Sequence, residues 1–235
     1  MSATDDFLFS PEGFSGIVRL FPLPNLVLFP HVVQPLHIFE PRYRDLFREA
    51  LAGDRLIAMA VLAPGWEANY EGRPPLYRTA CLGRIAAHHA LSDGSYNLLL
   101  SGLKRVEIAR ELPPLKTFRE AGVTLREDFY PAMPAGSADQ LQRRLREACA
   151  KVLPALVKTH GQVEQLLLSD MPLGVLTDVI GYMLDIPVPE KAALLAETNT
   201  HRRTEMLLEH LARVAVDVAP GSAGALEFPP AFSEN

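Results

Sequence analysis

The chain has 235 residues, 48% of them hydrophobic and 22% charged, a globular composition with enough apolar mass for one large domain or two small ones. Its formal net charge of -5 argues against a sequence-blind grip on a nucleic-acid backbone, which depends on neutralising phosphates with Lys and Arg. Two cysteines, Cys81 and Cys149, stand far apart in apolar settings and in no metal-ligand spacing, so they read as buried thiols in a reducing compartment.

The amino terminus, MSATDDFLFSPEGFSG, is acidic and lacks a sustained apolar run, so it does not read as a signal peptide. No stretch approaches the ~20 consecutive apolar residues of a membrane helix, and a cytoplasmic protein without a membrane partner is expected. Residues 1–16 lack periodicity and read as a flexible arm from which Phe7, Leu8 and Phe9 could clip onto a neighbouring surface. A β-rich region is expected over residues 17–128, beginning with a strand at Ile17–Leu20. The stretch FPLPNLVLFPHVVQPLHIFEPRYR, residues 21–44, then interleaves apolar residues with Pro22, Pro24, Pro30, Pro35 and Pro41. Proline fixes its φ and donates no backbone hydrogen bond, which confines the stretch to short edge strands, bulges and turns. Gln34, Leu36 and Ile38 share one face at period two, while Val33, His37 and Phe39 share the other. Pro41 suits the first turn of a helix that buries Tyr43, Leu46, Phe47, Ala50 and Leu51 and stops at Gly53, with Arg42 and Arg44 on its wet side.

Residues 57–62 form a short apolar run that suits a strand buried on both faces. PGWEANYEGRPPLYR, residues 64–78, reads as a long loop in which Trp66, Tyr70 and Tyr77 could offer amphipathic contact surface to a partner, or fold back as a lid over the core. Strands follow at 85–91, 96–101, 104–110 and 118–125. Asp93-Gly94 signals a two-residue hairpin, and Gly102 signals a sharp reversal before Lys104 and Arg105. Residues 129–136 form a proline-rich connector, after which strand signals vanish. A capping-box pattern, Ser137-x-x-Gln140, opens a helix with Leu141, Leu145, Ala148, Cys149, Val152 and Leu156 as its buried stripe. Helices are then expected at 162–168, at 172–184 capped from Asp170, at 188–197 and at 199–216, ahead of a disordered tail over 217–235. These elements predict an α+β protein: an amino-terminal antiparallel β pseudobarrel with one packed helix, followed by a carboxy-terminal α-helical bundle over 137–216.

PLPNLVLFPHVVQPLHIFEPRYRDL resembles the opening of the Lon-type substrate-binding domain, the amino-terminal module of the ATP-dependent protease Lon, also found free-standing and in the cereblon group. Gly83-Arg84-Ile85-Ala86, Asp93-Gly94, the run from Tyr96 through Gly102 to Arg105, and the closing LLAETNTHRRTEMLLEHL extend the resemblance over roughly residues 17 to 215. The resemblance implies a PUA-like β subdomain and a role in binding unfolded or apolar protein segments, with a protease or chaperone as a further partner. An arginine recurs near Arg203 in the family's closing motif, where helix packing is its expected role.

The chemistry of an enzyme is not written in the motifs. A phosphate-cradling loop ending in Gly-Lys-Ser/Thr, Gly-x-Ser-x-Gly and His-Glu-x-x-His are all missing, and no cofactor or metal is called for. The motor and the Ser-Lys peptidase of Lon lie in regions that this chain is expected to lack. His88 and His89, adjacent on a strand, point to opposite faces and cannot converge on one ion without a bulge. His31 and His37 read as core or rim residues, and the basic clusters at 143–146 and 201–203 as solvated helix faces. The leading expectation is therefore a non-catalytic protein-binding module with Trp66, Tyr70 and Tyr77 as contact candidates. A PUA-like RNA-binding protein is disfavoured by the acidic balance, an unrecognised hydrolase lacks a convergent site, and a cereblon-like small-molecule sensor would need a domain not seen here.

Overall fold

The computed structural model describes residues 9–70, 72–132, 134, 136–156 and 170–217. Strands β1 (Ile17–Leu23) and β2 (Val33–Ile38) frame the proline-rich stretch. In β2, Gln34, Leu36 and Ile38 are buried while Val33 is exposed, the alternation of a strand with one dry face. Helix α1 (Pro41–Ala52) starts on its proline, buries Tyr43, Leu46, Phe47 and Ala50, and closes where the Gly53 N–H donates to the Ala50 carbonyl at 3.1 Å. Strand β3 (Leu56–Val61) is buried at every position, as its unbroken apolar run demands.

Strands β4 (Thr79–Ala90) and β5 (Tyr96–Glu111) form a long hairpin, and β6 (Arg119–Arg126) returns to pair with both β5 and β1. The sheet order is β2-β5-β4-β3-β1-β6, and the additional β5–β6 pairing makes a closed ring of five strands with β2 appended to β5. Closure hides most of the edge an extended peptide could have extended, and Pro35, midway along β2, withholds an N–H from the edge that is left. The expected all-antiparallel sheet is corrected at one pairing. β1 and β3 run parallel, Leu20 opposite Ala58 and Leu23 opposite Val61, because β2 and α1 form a crossover that brings the chain back to the same end.

Two turn expectations are also corrected. β5 runs straight through Gly102 for 16 residues, without the expected reversal. Its glycine serves close approach: the Phe29 carbonyl oxygen occupies the space a Cβ would fill, the Gly102 N–H donates to Val32 O at 2.8 Å, and the His31 N–H donates to Gly102 O at 2.9 Å. The β4–β5 turn is wider than two residues. Leu91 N–H donates to Ser95 O at 2.9 Å, and Asp93 Oδ1 accepts from the Ser95 N–H at 2.9 Å and its hydroxyl at 2.6 Å.

The remaining helices are α2 (Ser137–Leu156), α3 (Leu173–Met183), α4 (Val188–Ala196) and α5 (Thr200–Asp217). Pro172 holds the cap position of α3 and no side chain caps it, so the expected role of Asp170 does not hold. Asn199 caps α5, its Oδ1 accepting from the His201 and Arg202 N–H groups at 3.0 and 3.2 Å. Phe129 in the connector exchanges backbone bonds with Thr198 and Thr200, which stitches the exit from the sheet to the start of α5. The expected helix at 162–168, Phe7, Leu8 and the tail beyond Asp217 lie outside the described residues.

Two apolar cores result. Val18, Leu20, Ala58, Leu82, Val106 and Ala121 come from all five ring strands and fill the inside of the ring. Phe9 and Phe14, edge to face at 5.7 Å within the stretch read as an arm, pack against this cluster. The larger core joins Phe21, Phe29, Leu36 and Ile57 of the sheet region to Phe47 of α1 and to Leu145, Leu176, Leu194 and Leu207 of the other helices. Strands and helices thus share one interior.

Three buried charges, Arg105, Asp178 and Arg203, and the half-buried Asp128 meet where sheet joins helices. Arg203 donates Nε to Thr177 Oγ1 at 2.8 Å, Nη1 to Asp128 Oδ1 at 3.0 Å and to Glu197 O at 2.8 Å, and Nη2 to Asp128 Oδ2 at 2.7 Å and to Gly174 O at 3.2 Å. All five of its N–H groups are spent. Arg105 donates Nε to Leu195 O at 2.8 Å and pairs with Asp128 and, through both terminal nitrogens, with Asp178. The helix-packing role expected of Arg203 is therefore a full charge network binding β5, the residues just after β6, α3, α4 and α5.

Candidate binding site

The aromatic loop after β3 folds back onto the sheet. Leu62 bridges Leu76, Ala63 N–H donates to Pro75 O at 2.8 Å, and Tyr77 N–H donates to Val61 O at 3.0 Å. Within it, Trp66 opens a short 3-10 turn and meets the Tyr70 ring edge-on at 5.6 Å. Tyr70 donates its hydroxyl to Glu40 Oε1 at 2.9 Å, just ahead of α1. Arg42, in the first turn of α1, bonds Glu40 Oε2 at 2.9 Å and lies 4.7 and 4.8 Å from the ring centres of Tyr43 and Tyr70. Burial first, and the bond to Glu40 next, push the Tyr70 hydroxyl above its ordinary 10.0, so it stays a proton donor at neutral pH. Trp66 and Tyr70 are thus brought together, half-buried, whereas Tyr77 packs against the larger core.

Beside this pair a cleft of about 250 Å³ opens between α1, the aromatic loop and the β5–β6 connection. Pro22, Tyr43, Leu62, Pro74 and Phe118 give it an apolar floor, and Arg42, Arg73, Lys116 and Arg119 a cationic wall. None of the carboxylates that fix those cations lines the cleft, nor does any other carboxylate among the described residues. Arg73 and Arg119 converge on one carboxylate, Glu111, at 2.9 and 2.5 Å, and Arg119 also donates to Pro74 O at 2.9 Å. Lys116 is held between Glu49 at 2.7 Å and Glu120 at 2.9 Å.

Burial alone would raise the Glu111 carboxyl, but the hydrogen bond from Arg119 and the charges of Arg119 and Arg73 outweigh it and hold the group below its ordinary 4.5. A carboxyl depressed by folding contributes stability that is complete above its unfolded value and is lost as pH falls through the folded one. Urea midpoints measured from pH 6 down to pH 3 should therefore drop below about pH 4.5, and Glu111→Gln should remove part of that drop. An unchanged pH slope in the variant would mean the arginine pair does not hold this carboxylate.

A second feature lies on the outer face of β2 and β5. Val33 and Leu99 are exposed and share a face, since Val33 pairs with Ser101 and Pro35 with Leu99. Phe39, also exposed, stacks on His37 at 5.9 Å and extends the strip past the end of β2.

Among the described residues, the histidines do not converge. His88 meets the Phe47 ring edge-on at 5.5 Å, His89 stands opposite Asn97, and His37 Nδ1 shares a 2.8 Å bond with Asn97 Oδ1. His31 adopts the left-handed backbone region at φ 66° at the crossing with Gly102. Among the described residues, no three His, Cys, Asp or Glu side chains are grouped to hold a metal ion. Cys81 and Cys149 are buried free thiols, and burial pushes both upward, Cys149 to about 12, which makes them poor nucleophiles.

The family model for the ATP-dependent protease La (LON) substrate-binding domain matches residues 17–213, from the start of β1 into α5. This chain belongs to that family. Lon protease 2 of Myxococcus xanthus is 27% identical over 209 residues, which cover 88% of this chain and 24% of that protein. Lon protease of Heliobacterium modesticaldum is 26% identical over 194 residues, covering 83% and 23%. The chain thus spans about a quarter of the length of the curated Lon relatives it matches. Two solved structures share its fold. The N-terminal domain of Mycobacterium avium complex Lon protease has a TM-score of 0.65 at 15% identity, covering 86% of this chain and 100% of that one. The Lon N-terminal domain protein from Xanthomonas campestris has a TM-score of 0.59 at 24% identity, covering 82% and 97%. The sheet-rich part and the helices are those of a Lon N-terminal domain, and no helix among the described residues is long and apolar enough to cross a membrane.

Proposed function

We propose that this member of the Lon substrate-binding family is a non-catalytic recognition module that holds unfolded or apolar segments of other proteins, and that it serves as an adaptor to a cytoplasmic protease. The match to a substrate-binding domain across residues 17–213 carries the reading. Two surface features support it: the exposed Val33, Leu99 and Phe39 strip, which can cover apolar side chains, and the Trp66, Tyr70 and Arg42 cluster at the mouth of the cleft. We read the closed ring of strands as a PUA-like pseudobarrel and helices α2 to α5 as the bundle packed against it.

The test is equilibrium capture of reduced, unfolded casein by the purified chain, against a folded control of equal net charge. Binding in the range of tens of micromolar, weakened several-fold by Leu99→Asp, is the expected result. Equal retention of casein and control would overturn the reading, as would turnover of any substrate offered.

A further inference from the structure

We propose that the cleft beside Tyr70 is a receptor for the free carboxy-terminal end of a polypeptide, the last side chain seated on the apolar floor and the terminal carboxylate against the cationic wall. The inference deepens the recognition role above and rests on it. Four cations and no carboxylate among the described residues face a space of about 250 Å³, which admits one side chain and excludes a folded surface. An anion of any kind could add a partner to these already paired cations, but the floor of Pro22, Tyr43, Leu62 and Phe118 asks for an apolar group on the same ligand. The final residue of a chain is the one place in a polypeptide where a carboxylate and an apolar side chain share a carbon atom.

The cationic wall is also set in advance. Arg42 is fixed by Glu40 and two tyrosine rings, and Arg119 by Glu111 and the Pro74 carbonyl. Groups held in place before binding lose little freedom when a ligand arrives. Among the described residues, Arg73 is held through Nη2, by Glu111 and Leu112 O, so its fork can turn toward an incoming carboxylate. Lys116 and Arg73 are each about a third exposed and can be replaced without opening a core.

Trp66, the sole tryptophan, touches Tyr70 in the cleft wall, so its fluorescence reports on this site in the intact chain. An N-acetylated octapeptide ending in two leucines should bind at least tenfold more tightly as the free acid than as the carboxamide. The double variant Arg73→Gln, Lys116→Gln should erase that difference, and Arg73→Lys, Lys116→Arg should keep most of it. Equal affinity of acid and amide overturns the inference, and so does a preference that survives in the Gln variant. Full displacement of the peptide by inorganic phosphate or acetate at the peptide's own concentration also overturns it, leaving a small-anion site. Casein capture with no acid preference sinks the chain-end receptor and spares the broader reading; acid preference without casein capture does the reverse.

Discussion

Replacing Arg203 with Met should cost about 3–5 kcal/mol of folding stability, read as a lowered urea midpoint with an unchanged slope. Arg203 has 0% exposure, and its five donors are matched by two carboxylate oxygens, one hydroxyl and two backbone carbonyls drawn from three separate segments. Removing it leaves Asp128 with half its partners and exposes the Gly174 and Glu197 carbonyls to an apolar neighbour, and unmet buried acceptors are what make such substitutions severe. The adjacent Arg202 supplies the control. It is 65% exposed and lies 4.0 Å from Glu205, so Arg202→Met should change stability by less than about 0.5 kcal/mol. A loss under 1 kcal/mol for Arg203→Met would show that the network is replaceable by packing alone. Asp128 gives the same prediction a pH signature: burial would raise it, but the Arg203 bond and the charges of Arg105 and Arg203 prevail and hold it below its ordinary 3.8. Its contribution is present above that value and is lost as the solution is acidified through the folded one.

How far these features could be read from sequence depended on whether their signal was local. The alternation of Gln34, Leu36 and Ile38 against Val33, the proline start of α1 and the all-buried β3 are set by residues within a few positions of each other, and they appear as expected. Gly102 was legible as special, but a glycine that permits a reversal and one that permits a close crossing look identical until Phe29 is known to lie over it. The parallel β1–β3 pairing was hidden for the same reason: nothing in either strand encodes the hand of the excursion between them. The cleft was half visible. Its aromatic loop stood out by composition, whereas Arg42, Arg73, Lys116 and Arg119 are spread over 78 positions, two of them beside proline, where a solvated charge is the ordinary outcome. Asp178 sits in the middle of an apolar helix at 0% exposure, and that local conflict was the one sequence signal of the buried network.

Gly102→Ala should destabilise the protein by about 3 kcal/mol or more, whereas Gly181→Ala should stabilise it by roughly 0.5–1 kcal/mol. Both glycines face Phe29, from opposite sides of the sheet–helix interface. At Gly102 an added methyl would overlap the Phe29 carbonyl oxygen and crowd Cys81 Sγ at 3.3 Å. That carbonyl cannot swing aside cheaply, because the backbone bonds from His31 and to Val32 clamp the same crossing, and Phe29 itself is fully buried. Relief therefore means losing part of the clamp or displacing the ring, and either one loosens the junction between β5 and the helices. At Gly181, inside α3, a methyl would meet the Phe29 ring at 3.5 Å, an ordinary contact, and would gain the helical preference of alanine over glycine. Urea midpoints of the two variants should thus move in opposite directions about the wild type. If both move the same way, Phe29 is not the fixed point on which the ring of strands and the helices are registered. The surfaces offered for binding would then have to be held in place by the arginine network alone.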